Sequence, residues 1–308
     1  MPFFSVIIPL FNKETFIEAT LKSVLEQRFT DFEIIIINDG STDNSENVIA
    51  AFDDTRIRYF TKENTGASSA RNLGIEKAQS NYISFIDADD YWYPTFLEEM
   101  FEKIKRFPEI KVFSAAIEIE TPKSTFPAHY AIEKTGAYEI VNYFTASTKE
   151  TVICTSCAVF NKTIFEEIGT FDTDIKSGQD TDIWIRIGLK YPVLFSWKIL
   201  ARYVYDEKSL SKNKNYLDTK VDFSKFEEDE KTNPELKIFL DLNRFSLAIK
   251  YKIAGNKTLF QNYYDAIDLQ NLELKKRILL LLPSFILKQL ISLKSVLTNF
   301  GFGSSVFK

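Results

Sequence analysis

Four consecutive isoleucines, Ile34-Ile35-Ile36-Ile37, leave a β-strand no polar face to turn toward water. A strand of that composition needs both faces of its sheet covered, as in parallel sheets sandwiched between crossover helices. The flanking sequence repeats the theme. Apolar runs at Phe4–Leu10, Ile57–Phe60 and Tyr82–Ile86 read as further strands, each followed closely by helical spacing. Lys13–Arg28 puts Phe16, Ile17, Leu21, Val24 and Leu25 on one helical face. Thr42–Phe52, Ala67–Ala78 and a helix opened by Pro94 and running to Arg106 complete the alternation. Such alternation predicts an α/β fold with a mostly parallel sheet flanked by helices.

From Lys111 to Tyr205 the signals mix. Strands are expected at Val112–Ile119, Ile153–Phe160, Val193–Phe195 and Tyr203–Tyr205, with short helices near Tyr138–Phe144 and Lys162–Ile168. A longer helix spans Asp180–Leu189. Residues 1–210 therefore read as one domain made of two halves, 1–106 and 107–210. Ser209–Asn233 is polar and carries the acidic run Glu227-Glu228-Asp229-Glu230, so 211–233 reads as a linker. Asn233-Pro234 opens a helix that ends near Gly255, and 234–308 reads as a helical region.

The 308 residues are 45% apolar and 26% charged, values that suit a globular protein with a sizeable core. A net charge of −5 argues against a dedicated nucleic-acid partner. The start of the chain, without a basic leader, reads as a first strand rather than a signal peptide. No stretch reaches the ~18 uninterrupted apolar residues of a membrane-spanning helix. The two cysteines form a C-x-x-C at Cys154 and Cys157, but their apolar flanks favour packing positions over redox or metal chemistry.

In open parallel sheets, ligands bind beyond the carboxyl ends of the strands. Strand one ends in Pro9-Leu10-Phe11-Asn12 and strand two in Asn38-Asp39-Gly40-Ser41-Thr42-Asp43. The Tyr82 strand ends in Asp87-Ala88-Asp89-Asp90. Three carboxylates at one strand end are costly unless a cation sits among them, and a D-x-D of hard oxygen ligands suits Mg²⁺ or Mn²⁺ holding a diphosphate. Singly, Asp39-Gly40 is also a turn, and Asp43 and Asp90 are also helix caps. Gly66 then feeds a helix whose free N–H groups, with the Arg71 guanidinium, suit phosphate or base.

Together these segments resemble the inverting, nucleotide-sugar-dependent glycosyltransferases of family 2, which have the GT-A fold. The runs that match are Ser5 to Asn12, Ile37 to Asp43, Asn64 to Gly74 and Phe85 to Asp90, in order and at family spacing. A weaker match follows at Gly169-Thr170-Phe171-Asp172 and Ser177 to Arg186. The resemblance implies a Rossmann-like sheet with a C-terminal helical extension, and roles for individual residues. Pro9 and Phe11 would wall the base pocket, Asp39 would hydrogen-bond the base, and Arg71 would help hold it. Asp87 would meet the ribose side, Asp89 would ligate the metal, and Asp180 would be the general base. Two positions depart from the pattern: Gln179 replaces the usual Glu, and Val204 and Asp206 stand where a late motif often carries Arg and His.

The implied chemistry is a single in-line displacement from a nucleotide-diphosphate sugar, with a UDP-sugar favoured, onto a saccharide or lipid-linked acceptor. A sugar-1-phosphate nucleotidyltransferase fits less well, because Leu10-Phe11-Asn12-Lys13-Glu14 is not a glycine-rich basic loop. A non-catalytic nucleotide-sugar-binding module rests on Gln179 and Asp206 alone. Residues 274–308 carry Lys275, Lys276, Arg277, Lys288, Lys294 and Lys308 and no acidic residue. Basic and apolar together, this tail suggests a cytoplasmic protein attached peripherally to the inner face of the plasma membrane, the alternative being a helix packed on the domain.

Overall fold

The computed structural model describes residues 1–204 and 221–299. Ten strands form one sheet. They are β1 (Phe4–Leu10), β2 (Phe32–Asn38), β3 (Ile57–Thr61), β4 (Tyr82–Phe85) and β5 (Tyr91–Trp92), then β6 (Val112–Glu120), β7 (Thr125–Pro127), β8 (Tyr138–Val141), β9 (Ala158–Asn161) and β10 (Val193–Val204). Their spatial order is β3-β2-β1-β4-β9-β6-β10-β5, with β7 on β6 and β8 on β10. The first four neighbours are all parallel. Beyond β4 the sheet is mixed: β9 runs antiparallel to both β4 and β6, and β10 runs parallel to β6.

The helices are α1 (Ile17–Leu25), α2 (Ser45–Ala50), α3 (Ala67–Lys77), α4 (Phe96–Arg106), α5 (Tyr143–Ala146) and α6 (Thr163–Ile168), followed by α7 (Gln179–Gly188), α8 (Glu227–Thr232), α9 (Pro234–Ala254), α10 (Lys257–Asp265), α11 (Leu274–Leu281) and α12 (Ser284–Asn299). The isoleucine run divides between the two faces of the sheet, as its composition requires. Ile34 and Ile36 share a core with Ile17, Leu21 and Val24 of α1 and Phe96 and Met100 of α4. Ile35 and Ile37 share the opposite core with Ala70 of α3, Trp184 of α7 and Phe239 of α9. α3 lies so close to β1 that a Cβ on Gly74 would meet Ile7 Cγ2 at 2.3 Å.

Three expectations are corrected. Tyr138–Phe144 is a strand, β8, followed by a single helical turn, because Tyr138 to Val141 pair with β10. The strand expected from Ile153 begins only at Ala158, since Thr155–Cys157 is a 3-10 turn; Cys157 is buried, Cys154 half-buried, and both thiols are free. The polar linker is not a linker where it is described: Phe223–Phe226 is a 3-10 turn, and Val221, Phe223 and Phe226 are buried in the main core. Of the acidic run, Glu227, Glu228 and Asp229 form the solvated face of α8, while Glu230 turns inward and accepts from both terminal nitrogens of the buried Arg244, at 2.6 and 2.9 Å. Residues 211–220 lie outside the described residues.

The C-terminal helices continue the same body. Asn233 caps α9, accepting a hydrogen bond from the Leu236 N–H at 2.9 Å, and Gly255 closes it at φ +81°. Leu236, Phe239, Leu240, Leu247 and Tyr251 enter the core alongside Tyr143 and Phe144. No helix among the described residues is long and apolar enough to cross a membrane.

Candidate active site

Because β1, β2 and β4 are parallel and in register, Leu10, Asn38 and Phe85 all end at one edge of the sheet. The loops beyond them are latched together. Asn12, at φ +50°, accepts from the Thr42 N–H at 2.8 Å and donates its own N–H to Ser41 Oγ at 3.1 Å. Asn tolerates that left-handed backbone better than most residues. The next two N–H groups, of Lys13 and Glu14, reach Ser45 Oγ and Asp43 Oδ2 at 3.0 Å each. Asp43 therefore serves this latch and its own turn, where it accepts from the Ser45 N–H at 3.0 Å.

Pro9 is half-buried in β1, and Phe11, just beyond, is 43% exposed, presenting a bare ring at this edge. Asp39 is buried and organises the 62–66 loop. Its carboxylate accepts from the N–H groups of Thr65 at 3.1 Å and Gly66 at 2.8 Å, and pairs with Lys62. Gly40 permits that approach: at φ +71°, a Cβ there would stand 3.0 Å from the Asn64 nitrogen.

Arg71, on α3, is 5% exposed and donates from Nη2 to Asp87 Oδ1 at 2.6 Å. Its guanidinium lies over the Phe171 ring, 5.4 Å from the centroid. Its Nε and Nη1 are buried without a hydrogen-bond partner. Buried donors of a charged group are rarely left open in a finished site. Asp180 belongs to the same neighbourhood. It opens α7 behind Gly178, whose left-handed φ of +86° turns the chain into the helix, and it accepts from the Thr181 N–H at 2.7 Å. Burial pushes its carboxyl above the usual range; the Thr181 N–H and Arg71 oppose the rise, and Asp87 adds to it.

The acidic cluster is built from beneath. Thr20 Oγ1 of α1 donates to the carbonyls of Ala88 at 3.0 Å and Asp90 at 2.8 Å. Ser156, brought alongside by the antiparallel β9, accepts from the Asp87 N–H at 3.0 Å and donates to Asp90 Oδ2 at 2.5 Å. The Val204 N–H reaches Asp90 Oδ1 at 3.0 Å. Burial, reinforced by Asp89 and Asp87, holds the Asp90 carboxyl well above its ordinary value. Asp89 is raised by burial too, while Lys13, 2.6 Å away, pulls it back.

Among the described residues no three Asp, Glu, His or Cys side chains converge as a ready-made metal cage. Asp89, with Asp87 two residues before it, instead fits a Mg²⁺ or Mn²⁺ held by one or two carboxylates and completed by phosphate oxygens and water. It does not fit a structural zinc site.

The structure thus brings Arg71, Asp87 and Asp180 into one electrostatic neighbourhood, sets Asp89 beside Asp87, and puts Pro9, Phe11 and Asp39 at the same edge. Sequence reasoning missed four participants. Lys13 follows the strand-one motif directly, and a basic residue there was a readable signal. Lys62 and Ser156 carried none, since only the loop closure and β9 deliver them. Tyr203, whose phenol is held protonated by burial and by Asp90, Asp89 and Asp87, was read as the start of a strand and of a late motif, with no role at the site. Asp182 is structural: fully buried, it is paired with Arg186 and Lys225. Asp206 lies outside the described residues.

Residues 5–169, just over half of the chain, match the model of glycosyl transferase family 2. The chain belongs to that family. Pairwise, an uncharacterized glycosyltransferase of Rickettsia felis is 28% identical over 214 residues, 68% of this chain but 35% of its own length. A glycosyltransferase of Rickettsia typhi is 27% identical over 219 residues, 70% of this chain and 69% of its own. Glycosyltransferase GlyA of Streptococcus pneumoniae is 37% identical over 105 residues, 33% of this chain and 15% of its own. The chain thus spans about a third of the Rickettsia felis relative. Among solved structures, a fragment of S. aureus TarS in complex with UDP-GlcNAc superimposes with a TM-score of 0.60 at 17% identity, covering 90% of this chain and 78% of that one. At that identity the likeness is one of fold, and it agrees with the GT-A arrangement.

Proposed function

We propose that this family 2 chain transfers a sugar from a nucleotide-diphosphate sugar to an acceptor hydroxyl, with inversion at the anomeric carbon. The observation that carries the reading is Arg71: a buried guanidinium tied to Asp87, close enough to act on Asp180, with two donor nitrogens, Nε and Nη1, left without a partner. A ligand without hydrogen-bond acceptors would leave those donors unpaired at a cost of ~1–3 kcal/mol each. A nucleotide supplies the acceptors.

Donor binding draws on the sheet edge. Phe11 and Pro9 offer apolar surface for the base, and Asp39 offers a carboxylate once Lys62 yields it. Asp87 and Arg71 act together toward the ribose and the polar side of the nucleotide. Asp89, released from Lys13, would hold Mg²⁺ or Mn²⁺, which would offset the charge left on the nucleoside diphosphate as a Lewis acid. Lys13 then becomes available to the same charge. Opposite the leaving group, Asp180 accepts the proton of the acceptor hydroxyl as that oxygen attacks. Its raised affinity for a proton suits the task, because a base is most effective when its pKa approaches the working pH. One displacement without a covalent intermediate inverts the centre.

A UDP-sugar is the donor we favour, and the TarS complex with UDP-GlcNAc supports that preference. The reading carries with it a cytoplasmic setting and a saccharide or lipid-linked acceptor in surface polysaccharide synthesis. It is tested by a thermal-shift panel of UDP-, GDP-, dTDP- and CDP-sugars, with and without Mn²⁺, on the native chain and Asp89→Ala. One nucleotide should stabilise the native chain with Mn²⁺ by ~2.7 kcal/mol at a hundredfold excess over Kd, and Asp89→Ala should lose that gain. No shift with any donor would overturn the proposal.

A further inference from the structure

We infer that the surface formed by α11 and the first turns of α12 is a docking face for an anionic lipid bilayer, a property separate from sugar transfer. Among the described residues twelve large apolar side chains are exposed, and seven of them fall within 274–293: Leu274, Ile278, Leu281, Phe285, Leu290, Ile291 and Leu293. Leu274, Ile278 and Leu281 are spaced four and three apart, so they line one face of α11. Leu274 and Leu281 are more than 70% exposed, and Phe285, just past Pro283, is 63% exposed.

The opposite face explains why these residues are held outward. Leu280 and Leu287 are buried in a small core with Leu242, Ala248, Ile249, Ile267 and Leu272. Arg277 fastens the start of α11 by donating from Nε to the Leu272 carbonyl at 2.8 Å, and Lys252 ties to the Leu280 carbonyl from α9 at 2.5 Å. α11 and the first turn of α12 therefore bury Leu280 and Leu287 within the protein and leave Leu274, Ile278, Leu281 and Phe285 turned to solvent. The sequence posed packing and membrane contact as alternatives; the packing of Leu280 and Leu287 is observed, and it leaves the outward side chains free for the contact inferred here.

Charge selects the partner. Lys275 and Lys288 are exposed within this stretch, and 274–308 holds six basic residues and no acidic one. With the chain at −5 and this segment at +6, the remaining 273 residues carry −11. An anionic surface would attract this end and repel the rest, fixing an orientation as well as an attachment. A protein groove would favour an apolar stripe without that polarity. Among the described residues neither helix is long and apolar enough to cross a membrane, so the contact inferred is interfacial, with leucine and phenylalanine entering the headgroup boundary and lysines staying among the phosphates.

The test is flotation of the full-length chain with vesicles of phosphatidylcholine alone or mixed with phosphatidylglycerol. Binding should require phosphatidylglycerol and fall with added salt. Leu281→Ser with Phe285→Ser should reduce partitioning by about tenfold or more. Lys275→Gln and Lys288→Gln should each reduce it about fivefold. Ile238→Ser, exposed on α9, is the control and should bind as the native chain does. Unchanged melting temperatures would show that the variants fold. Failure of the native chain to float with phosphatidylglycerol vesicles would overturn the inference. So would loss of self-association, rather than of flotation, in Leu281→Ser with Phe285→Ser, since the face would then be an interface between copies.

Discussion

Asp180 and Arg71 show how a residue's chemistry is made by its surroundings. A carboxyl at the first turn of a helix would ordinarily be held acidic by the helix dipole. Here burial outweighs that, and the group keeps its proton to higher pH than a free aspartate. Only the ionised form can accept a proton, so turnover should fall as pH drops through a value above the usual carboxylate range. The pH profile of kcat, measured with saturating donor, checks this; an acid limb near the free-aspartate value would remove Asp180 from the role. Asp180→Asn should lower kcat by ~10²–10⁴ while leaving donor affinity intact. Ser156→Ala tests the support beneath the acidic cluster. Losing its bonds to Asp87 and Asp90 in a buried site should cost ~1–3 kcal/mol, read from urea denaturation.

At the scale of elements, the contact between α3 and β1 determines whether Arg71 reaches Asp87. Gly74 is what allows the helix to lie there, because Ile7 is fully buried and has nowhere to move. Gly74→Ala should destabilise the fold by ~1–3 kcal/mol through overpacking. It should also weaken donor binding, since lifting α3 carries Arg71 with it. A thermal melt and a donor titration on the same variant separate the two effects. Gly66→Ala makes a useful contrast: a Cβ there meets nothing within 4 Å, and its cost comes from φ +101° alone.

At the scale of the whole molecule, the first of the C-terminal helices, α9, is packed into the same core as the sheet. The Phe239 ring sits 5.3 Å from Tyr143 and 5.6 Å from Phe144, centroid to centroid. Those contacts join α9 to α5, the single helical turn within residues 107–210. Phe239→Ala should cost ~3–5 kcal/mol, and the native chain should unfold in a single cooperative transition. Two resolved transitions in calorimetry would show instead that residues 234–308 fold independently.

Periodicity and composition alone determined the first hundred residues, and for a physical reason. Ile34 to Ile37 admit only a strand covered on both sides, and Asn12, Asp39, Arg71 and Asp87 to Asp89 follow the ends of such strands at short range. The capping of α9 by Asn233 and its closure at Gly255 were equally local, and equally legible. What lay beyond reach depends on residues far apart in sequence. Val221, Phe223 and Phe226 sit in a polar stretch, and only the packing of α9 makes them core. Lys62 meets Asp39, and Ser156 meets Asp90, through a loop and an antiparallel strand that no local pattern announces. The tail's basic and apolar composition was visible, but which apolar side chains turn inward was decided by the core that Leu280 and Leu287 complete. Local sequence fixes the elements because backbone geometry and side-chain spacing are local. Tertiary structure assigns the partners, because burial and charge pairing are settled only when the elements meet.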